Sequence, residues 1–281
     1  MFHQPHSLED ALRLKSLHEG AIFIAGGTDL IVMRNHGRLK ADKFIDITRL
    51  PDFDKVTKTA DGKRWRATGG ATFARLGKLP VRCLAEAAMS VGGPQIRNRA
   101  TIGGNLSSAS PAADGATALL ALDATVEMTS LNGRRTLPLS EFFLDYRKTA
   151  LAPDEIISAV EFPADWKSAW EKLGKRGAMN ISLVCCAVGV SPAGEVRIAF
   201  GSVAPYPLLT PRTAQFIQES GILSNPEESS LNEAARLAAE EVRPVDDFRG
   251  SADYRRAMAG ALLVKCLRQI SGSEPQSDHS L

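Results

Sequence analysis

The sequence predicts an α+β fold, with strands and helices segregated into lobes rather than alternating as regular βαβ units. Three observations carry this. Apolar runs of strand length, such as "AIFIA" (21–25), "FIDI" (44–47) and "EIISAVEFP" (155–163), recur through the first 163 residues. Two stretches read as hairpins: "ATVEMTSLNGRRTLPL" centred on Asn132–Gly133, and "SLVCCAVGV" with "EVRIAFGSV" joined by "SPAGE". Two helical patterns, 231–242 and 254–270, close the chain together.

Taken in order, "SLEDALRLKSL" (7–17) places Ser7 and Asp10 at capping-box spacing around Leu8, Ala11, Leu12 and Leu17, an amphipathic helix. Strand 21–25 runs straight into Gly26–Gly27 and, with 44–47, makes a small lobe over residues 1–55. The pattern restarts at Trp65 with a strand "WRATG", a turn at Gly69–Gly70 and a helical "TFARL". "PVRCLAEAAMSV" (80–91) has Pro80 near its start and Gly92–Gly93–Pro94 beyond its end, as helices do. A loop over 101–114 leads to a short apolar helix, 116–122, for which Asp114 is a candidate N-cap. The first hairpin and strand 155–163 complete a second lobe, 56–166, ending at "PADWKS". Residues 167–271 then read as a C-terminal α+β domain and 272–281 as a polar, frayed tail.

Composition narrows the function classes. With 44% hydrophobic and 23% charged residues, the chain suits a soluble protein with a sizeable core. A net charge of +2 argues against a broad nucleic-acid surface, and the basic clusters Arg97/Arg99 and Lys172/Lys175/Arg176 are short enough to be solvated faces. Cys83, Cys185, Cys186 and Cys266 form no C-x-x-C pair, so buried thiols are expected rather than a metal site or disulfide. No secretory signal and no apolar run of membrane length is visible, and a cytoplasmic setting is expected.

Two glycine-bearing stretches carry the chemistry: "IAGGTDLIV" (24–32) and "RATIGGNLSSASPAAD" (99–114). Glycine pairs let consecutive amides face one side as an anion-binding nest. The hydroxyls of Thr28, Thr101 and Ser107 and the Asn105 amide add donors beside them. Neither a G-x-x-x-x-G-K-[ST] loop nor a G-x-G-x-x-G fingerprint is present, which disfavours a nucleotide kinase and a Rossmann dehydrogenase. Two separated nests suit a diphosphate ligand bridging two lobes; each alone could be an ordinary turn. Asp114 could cap its helix or accept hydrogen bonds from ribityl or ribose hydroxyls, and Asp29 could stabilise a turn or meet the ligand. No histidine spacing suits a metal, and no nucleophile has an evident base, so a bound cofactor would carry the chemistry.

Longer stretches resemble a known family. "AGGTDL", "GPQIRNRATIGGNLSSASPAAD" and "YRKTALAPDEIISAVEFP", with "KLGKRGAMNIS", "VRIAFGSVAPYP" and "YRRAMAGALL", look like the FAD-binding medium subunit of the molybdenum hydroxylases, which include xanthine and carbon monoxide dehydrogenases. The resemblance spans residues 2–270 and implies a two-lobed vanillyl-alcohol-oxidase-type FAD-binding domain followed by a C-terminal α+β domain. FAD would bind without a covalent link, extended between the lobes. Position by position, Ala25, Gly26, Gly27, Thr28 and Asp29 would form a first diphosphate loop flanked by Phe23, Ile24 and Leu30. Thr101, Gly103, Gly104 and Asn105 would form the second, with Ala100 and Ile102 in the same segment. Asp114 would bond the cofactor's hydroxyl-bearing part, and Val91 and Ile157 match apolar contacts. Lys172 matches a lysine near the flavin, where a cation would stabilise the anionic reduced ring; by spacing alone it reads as a surface strand lysine.

The resemblance also implies partners. A molybdopterin-binding large subunit would oxidise the substrate, and a small subunit with 2Fe-2S clusters would relay electrons to this chain's FAD, which would pass them to NAD+ or another acceptor. A dimer of heterotrimers is the implied assembly. Two departures stand out: the cysteines lack the cluster-binding insertion of some aromatic-CoA-reducing relatives, and Val91 stands where some relatives carry an aromatic residue. Rival readings are a self-contained flavin reductase or oxidase of the same fold, or a non-catalytic nucleotide-binding regulatory module.

Overall fold

The computed structural model describes residues 1–176 and 181–272. The expected tail from residue 273 on lies outside the described residues.

The first lobe is built from β1 (Phe2–His3), α1 (Leu8–Leu17), β2 (Ile22–Ile24), α2 (Leu30–Asn35) and β3 (Phe44–Asp46). Ser7 caps α1 as its spacing demands, its hydroxyl accepting the Asp10 N–H at 3.0 Å. The three strands run parallel in the order β1-β3-β2, with helices on the crossovers. Here the expected segregation fails: this lobe alternates strand and helix. Strands of only two or three residues hid the alternation from periodicity.

The second lobe holds β4 (Val56–Lys58), β5 (Arg64–Thr68), α3 (Phe73–Leu76), α4 (Arg82–Ser90), α5 (Pro94–Arg97), α6 (Ile102–Ser108) and α7 (Asp114–Ala121). It continues through β6 (Thr125–Ser130), β7 (Gly133–Pro138), β8 (Phe143–Asp145), β9 (Lys148–Thr149) and β10 (Ile156–Pro163). An antiparallel sheet orders β4-β5-β10-β6-β7. The β6–β7 hairpin forms one residue off its expected centre. Ser130 pairs with Gly133, so Leu131 and Asn132 make the turn and Gly133, at φ 135°, opens β7.

The C-terminal part comprises β11 (Lys167–Leu173), β12 (Val184–Val190), β13 (Val196–Gly201), β14 (Leu208–Leu209), α8 (Pro211–Ser220), α9 (Glu228–Glu241) and α10 (Ala252–Ser271). All seven residues of β12 are buried, because both faces of this sheet are covered. Cys186, Val188, Ile198 and Phe200 pack in one core with residues of α8, α9 and α10. Cys185, Ala187, Ala199 and Trp170 face the other way, into the core of α4, α6 and α7. Those helices are in turn covered by Val126, Met128, Ile157 and Val160 of the five-stranded sheet. The order is thus sheet, helices, sheet, helices. All four cysteines are free and buried in these cores, as their spacing predicts.

Candidate functional site

The first glycine segment links β2 to α2 at the edge of the first lobe. Gly27 has φ +72°, a backbone turn that favours glycine. Through it the N–H groups of Gly26, Gly27, Thr28 and Asp29 donate to no acceptor among the described residues. Four consecutive unspent amides leave this turn able to serve as the anion nest that the sequence suggested. Gly26 serves a different need: a Cβ there would lie 1.9 Å from the Arg99 carbonyl oxygen. The absence of a side chain lets the first lobe's loop press against the second lobe's backbone just before Ala100.

The second segment differs from expectation. Residues 101–114 are not a loop: Ile102–Ser108 form α6, capped by Thr101, whose hydroxyl accepts the Gly104 N–H at 3.1 Å. The Ile102 and Gly103 amides are spent on the carbonyls of Ala71 and Gly69, both at 2.9 Å. This segment is therefore no second nest of free amides. What it presents is a side-chain-free face at Gly104, which is exposed and would bring a Cβ near Thr101 Oγ1 alone. Asn105 Oδ1 accepts the Ala116 N–H at 3.1 Å, which leaves the Asn105 NH2 for a ligand.

Between the two segments runs a cleft of about 610 Å³, within the range of small-molecule sites, about 300–1,000 Å³. Of the residues singled out from sequence, Phe23, Ala25, Gly26, Gly27, Thr28, Asp29, Leu30, Val91, Ala100, Thr101, Gly103, Gly104, Asn105 and Ile157 line it. Ile24 and Ile102 are buried beneath it instead. Asp114 and Lys172 do not line it either: they pair with each other, Nζ to Oδ2 2.7 Å, at 5% and 10% side-chain exposure. Ser182 donates to Asp114 Oδ1 at 2.5 Å, and Lys172 Nζ also donates to the Ser90 carbonyl at 3.0 Å, one residue before the cleft-lining Val91. Asp114 is thus the first residue of α7, and its carboxylate makes no N-cap bond. Nor is Lys172 the exposed lysine that strand spacing suggested.

The structure adds lining residues that the sequence did not single out, chief among them Lys15, Met33, Ile96, Arg147, Leu151 and Glu155. Lys15 Nζ donates to the Ala21 carbonyl, and burial lowers its pKa. Glu155 is held by Arg135 through two bonds, 2.6 and 2.7 Å, and by the Ala152 N–H at 2.7 Å. Those Arg135 bonds foremost keep its carboxyl below the usual range despite burial. Leu151, Ala152 and Glu155 fall inside "TALAPDEII", so the family-like stretch carried their signal. The cleft thus offers amide dipoles, small residues, apolar walls and a neutralised carboxylate. Among its described lining residues there is no arrangement of nucleophile and base. That donor set fits a dinucleotide: an anion at the nest, and flat apolar groups against Ile96, Val91, Leu151 and Ile157.

Residues 1–165 match the family described as the FAD binding domain in molybdopterin dehydrogenase, and residues 169–270 the CO dehydrogenase flavoprotein C-terminal domain. The chain belongs to this family of FAD-binding medium subunits. One relative is the putative xanthine dehydrogenase FAD-binding subunit of Escherichia coli K12, 31% identical over 281 residues, 95% of this chain and 94% of that one. The nicotinate dehydrogenase FAD-subunit of Eubacterium barkeri is 38% identical over 225 residues, 74% of this chain and 75% of that one. Carbon monoxide dehydrogenase from Hydrogenophaga pseudoflava has a solved chain that matches at TM-score 0.88 and 30% identity, covering 97% of this chain and 96% of that one. The fold class, the FAD cofactor and the assignment to an oxidoreductase stand on these matches. Among the described residues, no helix is long and apolar enough to cross a membrane.

Proposed function

We propose that this medium subunit holds FAD in the cleft between its two N-terminal lobes and carries electrons for a molybdenum-containing hydroxylase. The observation that supports this most is the run of four unspent amides, Gly26 to Asp29, in residues that line a dinucleotide-sized cleft. Bound there, FAD supplies the redox chemistry, and the protein supplies binding and orientation. The nest would take the diphosphate from one side, and Thr101, Gly104 and the Asn105 NH2 from the other. Asp114 and Lys172 remain cofactor contacts in this proposal by the family resemblance, with Ser90 and Val91 between their pair and the cleft.

The proposed partners are a molybdopterin-binding large subunit and a small subunit with 2Fe-2S clusters, assembled as a dimer of heterotrimers, with NAD+ or another acceptor receiving the electrons. The names of relatives as "medium" chains and a solved Cu,Mo-containing carbon monoxide dehydrogenase support a multi-subunit molybdenum enzyme. The units 1–55, 56–166 and 167–271 are the proposed structural divisions, and cytoplasmic residence is proposed with them. Purification of the complex from its host tests the proposal. Molybdenum, iron and FAD in one particle, with the flavin band bleached by NADH without air, are expected. A flavin-containing chain that purifies alone contradicts the assembly, and flavin in the complex that stays oxidised with NADH rules out NAD+ in favour of another acceptor.

A further inference from the structure

We propose that Arg147 is a cationic clasp for the cofactor diphosphate, reaching from the second lobe over the amide run of the first; this rests on the placement of FAD proposed above. Arg147 sits in the β8–β9 connection, where Asp145 pairs with Lys148 and leaves Tyr146 and Arg147 to make the turn. Its φ of +53° lies in the left-handed region that arginine seldom adopts. Glycine or asparagine would hold that backbone with less strain, so the turn itself does not call for arginine.

The side chain explains the choice better. It leaves its own hairpin and crosses to the first lobe, with Nη1 3.5 Å from Asp29 Oδ2 and 3.8 Å from Met33 Sδ. Both contacts are loose. Within its own turn the guanidinium also interacts with Tyr146, its Cζ 5.9 Å from that ring's centroid. A guanidinium has five N–H donors in a planar fork, and these contacts leave others for a phosphate oxygen.

Charge in the cleft makes the same point. Among its described lining residues the cations are Lys15 and Arg147, and Lys15 Nζ is engaged at the Ala21 carbonyl. The lining carboxylates are Asp29 and Glu155, and Glu155 is neutralised by Arg135. The nest provides dipoles but no charge, and the Asp29 carboxylate at its end would repel a doubly negative diphosphate. Arg147 is the group placed to offset that repulsion and to bridge Asp29 and phosphate at once. Because its backbone belongs to the other lobe, the same contact would link cofactor binding to the hold of one lobe on the other.

The test uses apoprotein of the full chain, as wild type, Arg147→Gly and Arg147→Lys, titrated with FAD by flavin fluorescence at low and high salt. Glycine suits the backbone at this position, so a loss there reports the side chain. Arg147→Gly is expected to weaken FAD binding about 10- to 100-fold and to flatten its salt dependence. Arg147→Lys should fall between, and ADP used as a competitor should lose affinity in parallel with FAD. Wild-type affinity in Arg147→Gly, or a weakening with an unchanged salt dependence, would overturn the clasp. Gly104→Val separates the two ideas. If it loses FAD while Arg147→Gly does not, the clasp alone fails; if both bind normally, FAD does not lie in this cleft.

Discussion

Asp114 and Lys172 form a buried ion pair, 2.7 Å from Nζ to Oδ2, that joins the first turn of α7 to β11. It crosses the junction between the segment matching the FAD-binding domain and the segment matching the flavoprotein C-terminal domain. Ser90 and Ser182 satisfy the remaining groups of the pair. Removing one partner strands a charge in the interior. Lys172→Met is therefore expected to destabilise the chain by about 3–5 kcal/mol in urea unfolding. The Asp114→Asn/Lys172→Met double variant should recover much of that loss, and an equal loss in both would refute coupling between the two residues.

Gly26 and Gly27 are neighbours with different reasons to be glycine. At Gly26 a Cβ would overlap the Arg99 carbonyl oxygen at 1.9 Å, so Gly26→Ala must push the lobes apart, at about 1–3 kcal/mol. At Gly27 a Cβ would point toward Ile31 and Ile24, away from the cleft, and Gly27→Ala pays chiefly for its positive φ, about 1–2 kcal/mol. FAD dissociation should accelerate more in Gly26→Ala, because the lobe contact itself is lost. Equal dissociation rates would contradict the assignment.

Glu155 gives the cleft a pH dependence. Its folded pKa is depressed, first by the Arg135 hydrogen bonds, so its stabilising effect is present above the unfolded value of about 4.3 and is lost as pH falls through the lower folded value. Arg135 is 42% exposed, which screens the pair and keeps the effect modest. Wild type should exceed Glu155→Gln in stability at pH 7, and the gap should shrink as pH drops below about 4. A gap that does not change with pH would remove the ion pair from the account.

The thiols should be inert in the native chain. Burial pushes the Cys83 thiol up to about 12 and raises Cys185 and Cys266 as well. A disulfide reagent at mild alkaline pH is expected to label none of the four cysteines until denaturant is added. Fast labelling of a native thiol would contradict the packing around β12.

Local signals explain what the sequence made legible. Ser7 and Asp10 announced α1, and the apolar run of β12 announced a strand, though not its burial on both faces. α6 was hidden because "IGGNLSS" is short and rich in poor helix formers, and what holds it lies elsewhere: the carbonyls of Ala71 and Gly69. The Asn132–Gly133 signal marked the hairpin but missed its register, since Gly133 opens the strand rather than closing the turn. At the site, the two glycine segments could be read directly. Arg147 could not: its contact with Met33 spans 114 residues of sequence, and only the fold brings them together. Asp114 and Lys172 were visible as residues, but not as partners of each other.

Gly104 is the position where the placement of FAD between the two glycine segments can be probed with the least disturbance. Gly104 is exposed and lines the cleft, and an added Cβ would meet only Thr101 Oγ1, so Gly104→Val adds its bulk at the proposed cofactor's space. The measurement is FAD bound per chain after purification, set beside the thermal unfolding of the same sample. Gly104→Val is expected to purify without FAD and to unfold like wild-type apoprotein, below FAD-loaded wild type. Stoichiometric FAD in Gly104→Val would contradict this placement.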